Sequence, residues 1–306
     1  MNGILILNKP TGPSSHAVIE RVRRLIPGVK VGHTGTLDPA ASGVLPVCLG
    51  KATRVASYLM DLPKGYRAGV ELGIVTDTED ASGRILAQSP VPPLDRAGIE
   101  KILQGLTGVR EQIPPAYSAV KYRGKPLYYW TRRGVSTPAR RPRKIAIYRL
   151  ALLEYNPAGK PHLVCAVECS RGTYIRTLAA EIGERIGCGA HLFSLVRTFV
   201  GPFTLDHASS PGSLEEAARR GALENLILPM DRALLHLPGL HVDDHTLLAL
   251  KHGRPVPVAQ LELQPEILTS GGEPLRIYDR LGNFKALAKI EHTGNECNLK
   301  TVKYLA

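Results

Sequence analysis

The residues best suited to chemistry lie between Gly32 and Pro46. One carboxylate, Asp38, stands there between Gly35 and Gly43, beside Pro39 and ahead of an apolar run. The glycines allow backbone angles that other residues resist, and Pro39 fixes the chain as it leaves Asp38. A single acid on a shaped loop beside a buried strand suits a nucleophile or a base. Asp-Pro is also the composition of an ordinary turn, which is its commoner meaning, and spacing alone leaves both readings open.

A second group of candidates spans residues 121 to 144, with nine Lys or Arg and no acid; Tyr122, Tyr128, Tyr129 and Trp130 interleave with them. Cations hold phosphates, and aromatic faces stack on bases or sugars. Arg132, Arg140, Arg141 and Arg143 are the candidate phosphate contacts. A charge run is often only a solvated face, but the aromatics and the lack of compensating acids favour nucleic acid. The formal net charge of +12 suits the same polyanionic partner.

Other chemistries lack their residues. There is no P-loop lysine pattern and no dinucleotide glycine fingerprint. The five cysteines are sparse and contain no Cys-x-x-Cys pair, so neither a zinc ribbon nor a thioredoxin-type site is indicated. Cys165 and Cys169 fall on one face of an alternating strand, where buried thiols are common. No metal and no cofactor are expected, and the cysteine usage implies a reducing compartment.

The chain that must position these residues has 306 residues and 43% hydrophobic content, enough for one large domain and a small one. Residues 4–7 read as a short apolar strand. Ser14 or Ser15 can cap a helix carrying Val18, Val22, Leu25 and Ile26 at helical spacing, which Pro27-Gly28 ends. An apolar strand over 44–49 follows the Asp38 loop. Tyr66, Ala68, Val70 and Leu72 alternate as a strand, as do Leu163, Cys165, Val167 and Cys169. Ile99, Leu103 and Leu106 suggest a helix, 173–186 another, and 191–199 a strand. Mixing without a regular repeat argues an α+β fold rather than a doubly wound sheet. A boundary is expected near 228–232, separating residues 1–231 from a tail of 232–306 with a helix over 243–251 and strands near 275–278, 284–290 and 299–304. The N-terminal stretch reads as a strand rather than a signal peptide. No run approaches the roughly 20 apolar residues of a membrane helix, so a cytoplasmic protein is expected.

Several blocks together resemble a known family. They are Gly32-His33-Thr34-Gly35-Thr36-Leu37-Asp38-Pro39 with Ala41-Ser42-Gly43-Val44-Leu45-Pro46, and Asn8-Lys9-Pro10 with Gly12-Pro13-Ser14-Ser15. Lys64-Gly65-Tyr66-Arg67, Thr76-Asp77-Thr78-Glu79-Asp80, Tyr117-Ser118-Ala119-Val120-Lys121, Cys169-Ser170-Arg171-Gly172-Thr173-Tyr174-Ile175-Arg176 and Gly189-Ala190-His191-Leu192 follow in order. This set is similar to the TruB family of pseudouridine synthases, closely over about residues 3–205 and loosely beyond.

The resemblance implies a mixed sheet with flanking helices around a central cleft, and isomerisation of uridine 55 in the TΨC arm of tRNA. It implies Asp38 as the catalytic carboxylate, Arg176 as its arginine partner, and Tyr66 as the ring stacked on the flipped uracil. Without it, Arg176 reads as a phosphate contact or a helix-surface charge. An unperturbed phenol, with a pKa of about 10, is a poor base at neutral pH, so stacking is the favoured role for Tyr66. The resemblance further implies Leu195 against the ring, Tyr174 lining the pocket, and His33 filling space in the T-loop once bases flip out. Residues of about 114–144 would form a thumb-like insertion that clamps the T-arm, and the tail a PUA-like RNA-binding module. A small β-barrel with a structural role is the alternative for the tail. The implied partner is tRNA, with no protein partner and a monomeric state. Two rival functions remain: a guide-RNA-dependent box H/ACA pseudouridine synthase, and a tRNA-binding or folding protein.

Overall fold

The computed structural model describes residues 1–131, 133–135, 140–261, 272–293 and 296–305. A ten-stranded mixed sheet organises most of them. Its main path runs Ile227–Leu228, Gly3–Lys9, Ala41–Leu49, Ala190–Val200, Lys64–Leu72, His162–Cys169, Arg143–Asn156 and Gly108–Gln112. Val31–His33 and Phe203–Thr204 pair off this path. Neighbours are antiparallel except at one seam, where Leu195, Val196 and Arg197 lie parallel to Ala41, Ser42 and Gly43. The loop that carries Asp38 leads into the sheet at that seam. Seven α-helices lie among the described residues, and none of the described helices is long and apolar enough to cross a membrane. The α+β expectation holds.

Alternation sets the core face of the strands after Lys64, whereas Gly3–Lys9 and Ala41–Leu49 are buried on both faces. Ala68, Val70 and Leu72 share a core with Leu163, Cys165, Val167 and Cys169. Leu178 and Ile182 of helix Ile175–Ile186 and Ile99 and Leu103 of helix Arg96–Gln104 cover them. Helix Ser15–Leu25 begins where the Ser14 hydroxyl accepts the Ala17 N–H at 3.1 Å. It packs Val18, Ile19 and Val22 on Leu5, Leu7, Leu45 and Val47. Cys48, Cys165, Cys169 and Cys188 are buried free thiols, and burial pushes Cys48 and Cys165 up to about 12, which leaves them unreactive.

The expected strands and helices of the tail are present. Gly239–His241, Leu275–Tyr278, Phe284–Thr293, Glu296–Tyr304 and Val256–Pro257 form a five-stranded sheet in that order. Leu250, Leu275, Ile277, Ala288 and Leu299 give it a core of its own. The tail is nonetheless fused to the main body. Leu287 and Leu305 pack with Ile4, Val44 and Leu234, and the Lys303 ammonium donates to the Arg54 carbonyl at 2.6 Å.

Candidate active site

The Asp38 loop is pinned from three sides. The Ser15 hydroxyl donates to the Leu37 carbonyl (2.9 Å) and accepts the Leu37 N–H (2.8 Å). The Gly12 N–H donates to the Pro39 carbonyl at 2.8 Å. The Lys9 side chain is fully buried, and its ammonium donates to the carbonyls of Pro10 and Ala41, each at 2.7 Å. The Ala41 N–H closes the turn onto the Asp38 carbonyl at 3.0 Å. Asp38-Pro39 is thus a turn in its backbone, while its carboxylate remains 46% exposed and faces a cation.

That cation is Arg176, the second residue of helix Ile175–Ile186 and only 7% exposed. Its Nε lies 3.0 Å from Asp38 Oδ2 and 3.7 Å from Asp80 Oδ2. Its remaining nitrogens donate to the carbonyls of Thr78 (3.1 Å) and Tyr117 (2.9 Å). Burial and these partners exclude a helix-surface charge. The helix start is fixed by Gln112, whose amide accepts the Tyr174 N–H at 2.8 Å and donates to the Tyr174 carbonyl at 3.1 Å.

Asp38, Asp80 and Arg176 line an open cleft of about 320 Å³, with Leu192 and Leu195 among its apolar walls. Leu195 also packs against the main core, so it serves as both core and wall. Tyr66 is half-buried on strand Lys64–Leu72, opposite Arg197. Burial pushes its phenol above the ordinary value, although the positive charge of Arg197 pulls the other way. A phenol so raised holds its proton at neutral pH. His33 ends strand Val31–His33, where its Nδ1 accepts the Gly35 N–H at 3.4 Å. Burial, with Arg197, His16 and Arg23 nearby, lowers its pKa and favours the neutral ring. Of the expected site residues, Tyr66, His33 and Tyr174 do not line the cleft itself.

Comparison with known proteins places this geometry. A family model described as the N-terminal domain of TruB family pseudouridylate synthases matches residues 23–175. A model of the tRNA pseudouridylate synthase B C-terminal domain matches residues 176–235. The tRNA pseudouridine synthase B of Geobacillus kaustophilus is 47% identical over 257 residues, covering 83% of this chain and 90% of that protein. The chain belongs to the TruB family. The tRNA pseudouridine synthase B of Thiobacillus denitrificans is 42% identical, covering 95% of this chain and 93% of its own. Among solved structures, a chain of a Cbf5–Nop10–Gar1 complex superposes with a TM-score of 0.74 at 27% identity, covering 99% of this chain and 85% of that one. A chain of an H/ACA RNP bound to a substrate RNA containing 2′-deoxyuridine superposes at 0.72 and 26% identity, again covering 99% and 85%.

In this TruB family member the basic segment is partly self-satisfied. Lys121–Tyr122 pairs with Lys125–Pro126, and helix Leu127–Thr131 follows. The Trp130 indole N–H donates to the Tyr122 carbonyl at 2.9 Å. Its ring meets those of Tyr122 and Tyr129 edge-on, at 6.2 and 5.2 Å. Arg133 and Lys125 stand over the Tyr129 ring at 3.9 and 4.2 Å. Arg140, Arg141 and Arg143 are exposed, and Arg140 donates to the Pro114 carbonyl at 2.8 Å. Arg132 lies outside the described residues.

Sequence reasoning passed over Asp80, Lys9 and Arg197 as site residues. Asp80 stands in the Thr76–Asp80 block, which was its only signal; its Oδ1 accepts from the Thr78 hydroxyl at 2.7 Å and the Ser82 N–H at 2.9 Å. Glu79 was missed as well. Its backbone is left-handed (φ 61°), and its carboxylate accepts from the Thr177 hydroxyl at 2.6 Å beside Arg176.

Proposed function

We propose that this chain isomerises uridine 55 in the TΨC arm of tRNA to pseudouridine, with Asp38 as the reacting carboxylate. One observation carries the reading. The carboxylate at the cleft is held by a buried guanidinium, in a chain 47% identical to a tRNA pseudouridine synthase B.

Isomerisation breaks the bond from uracil N1 to C1′, turns the base, and joins C5 to C1′. Hydrogen leaves C5 and N1 gains one, so atoms and electrons balance without an oxidant or reductant. The target must first leave its stack, at a cost of a few kcal/mol. Asp38 then reaches the sugar or the base, and the planar fork of Arg176 orients it. Tyr66 stacks on the flipped uracil. Its raised pKa supports stacking over proton abstraction. Leu195 packs on the ring, Tyr174 closes the pocket, and His33 occupies the gap left in the RNA. Arg132, Arg140, Arg141 and Arg143, in a thumb of about 114–144, hold phosphates.

Residues 1–231 form the catalytic domain in this reading, and 232–306 a PUA-like RNA-binding domain. The enzyme works in the cytoplasm as a monomer, without a protein partner. Because its solved neighbours include an H/ACA RNP, the guide-dependent reading is the one to separate experimentally.

The test is tritium release from tRNA labelled at uridine C5, without guide RNA, beside a binding titration and a melting curve. Asp38→Asn keeps size and shape while removing the charge. The expected variant folds, binds tRNA and forms no pseudouridine. Wild-type turnover by Asp38→Asn sinks the mechanism. Activity that appears only when guide RNA is added transfers the chain to the H/ACA class.

A further inference from the structure

Arg197 is 2% exposed on strand Ala190–Val200, in register with Gly43 on one side and Tyr66 on the other. Its Nε donates to the Val44 carbonyl at 2.7 Å, and its Nη2 to the Gly35 carbonyl at 3.2 Å. Tyr66 is its directly opposed cross-strand neighbour, and the guanidinium charge bears on the Tyr66 phenol. Among the described residues no carboxylate forms an ion pair with it. A buried charge without an acid is costly, and an apolar side chain of similar volume would fill the space at lower cost. What an apolar residue cannot supply is a rigid planar fork that binds several oxygens at fixed angles. Gly35 precedes Asp38 and Val44 follows it, so Arg197 holds both flanks of the catalytic loop.

We infer that Arg197 is a positioning residue for the isomerisation: from the strand position opposite Tyr66, one buried guanidinium holds both ends of the Asp38 loop and fixes the loop relative to the Tyr66 ring. The reaction demands such a tie, because the base detaches, turns and reattaches. During the turn nothing covalent holds the uracil unless Asp38 does, and the stacking surface must keep its place relative to the carboxylate. A misplacement of about 1 Å in such a site costs on the order of 100-fold in rate. The main-chain approach at this point agrees. A Cβ on Gly43 would lie 2.2 Å from the Arg197 carbonyl, so the two strands are drawn together where the guanidinium crosses.

The inference rests on the reading of Asp38 and Tyr66 as the groups that meet the uracil, and its test keeps the two apart. Arg197→Lys and Arg197→Gln are compared with the wild type in single-turnover assays on tRNA, each alone and combined with Tyr66→Phe. Arg197→Lys is expected to lose about 10- to 100-fold in rate, with tRNA affinity within about twofold. Arg197→Gln should lose more, and Tyr66→Phe should lose rate without changing the shape of the pH profile. The double variant should lose less than the product of the single losses, because the two side chains are opposed neighbours that set one geometry. Wild-type rates in both Arg197 variants overturn the inference, and so do fully multiplicative losses. If both Arg197 variants fail to fold, Tyr66→Phe alone decides: a wild-type rate or a reshaped pH profile overturns it. Asp38→Asn runs alongside. Turnover there sinks the underlying reading, whereas intact Arg197 variants sink only this one.

Discussion

Arg176 is the residue on which separate parts of the chain meet: the Asp38 loop, the Thr78 turn and the Tyr117 segment all bind its nitrogens. A lysine there keeps one charge but cannot serve directions set by a planar fork. Arg176→Lys should therefore lower the single-turnover rate by roughly 100-fold or more, with near-normal tRNA binding; a wild-type rate removes the pairing role. Lys9 makes a pH-dependent prediction. Burial pushes it from 10.5 down to about 8, with Asp38 pulling it back up and Arg197 adding to the fall. The unfolded chain thus binds more protons between the two values, and this group makes stability rise with pH from about 8 to about 10.5. Buried thiols such as Cys48 act oppositely at high pH, so the quantity to measure is a difference. In urea unfolding at several pH values, wild type should gain on Lys9→Met across that window. The pairing of Arg176 with Asp38 was legible because the family's motifs mark both residues. The burial of Lys9, though it stands in a motif, and of Arg197, which stands in none, was not legible, because a buried cation looks like a surface cation until the carbonyls that hold it are in place.

At the scale of elements, the seam between Ala41–Leu49 and Ala190–Val200 sets the site, and Gly43 allows it. Its φ of 107° and its closeness to Arg197 leave no room for a side chain. Gly43→Ala should cost about 1–3 kcal/mol from backbone strain alone, seen as a lower midpoint in chemical denaturation, and should reduce turnover as the seam opens. The basic segment carries a separate expectation. Neutralising Arg140, Arg141 and Arg143 together should flatten log K against log salt by about 0.7–0.9 for each phosphate left without its cation; an unchanged slope means these side chains face away from RNA. Most strands were legible from alternation. Strand Arg143–Asn156 was not, and the reason is physical. It buries Ile145 and Ile147, then Leu150 and Leu152, because a bulge after Ile147 reverses its parity. Its basic start disguised it further. The parallel pairing at the seam left no mark either, since it joins distant segments.

For the molecule as a whole, the tail is part of the shared core. Leu305 is 2% exposed in a core shared with Ile4 and Leu234. Leu305→Ala should cost about 2–5 kcal/mol, with main body and tail still unfolding in one transition by two optical probes. Two separated transitions would show that the tail is an appendage. The seam has a consequence for how the protein comes into being. Arg197 and the Val44 carbonyl it holds are 153 residues apart. At a synthesis rate of about 5–20 residues per second, Asp38 is made roughly 8–30 s before Arg197. In that interval the strand after Asp38 has no parallel neighbour, and its apolar edge is open to other chains. The proposed catalytic centre is thus a late product of biogenesis, and the nascent chain is open to misassembly while its acid is waiting for its arginines.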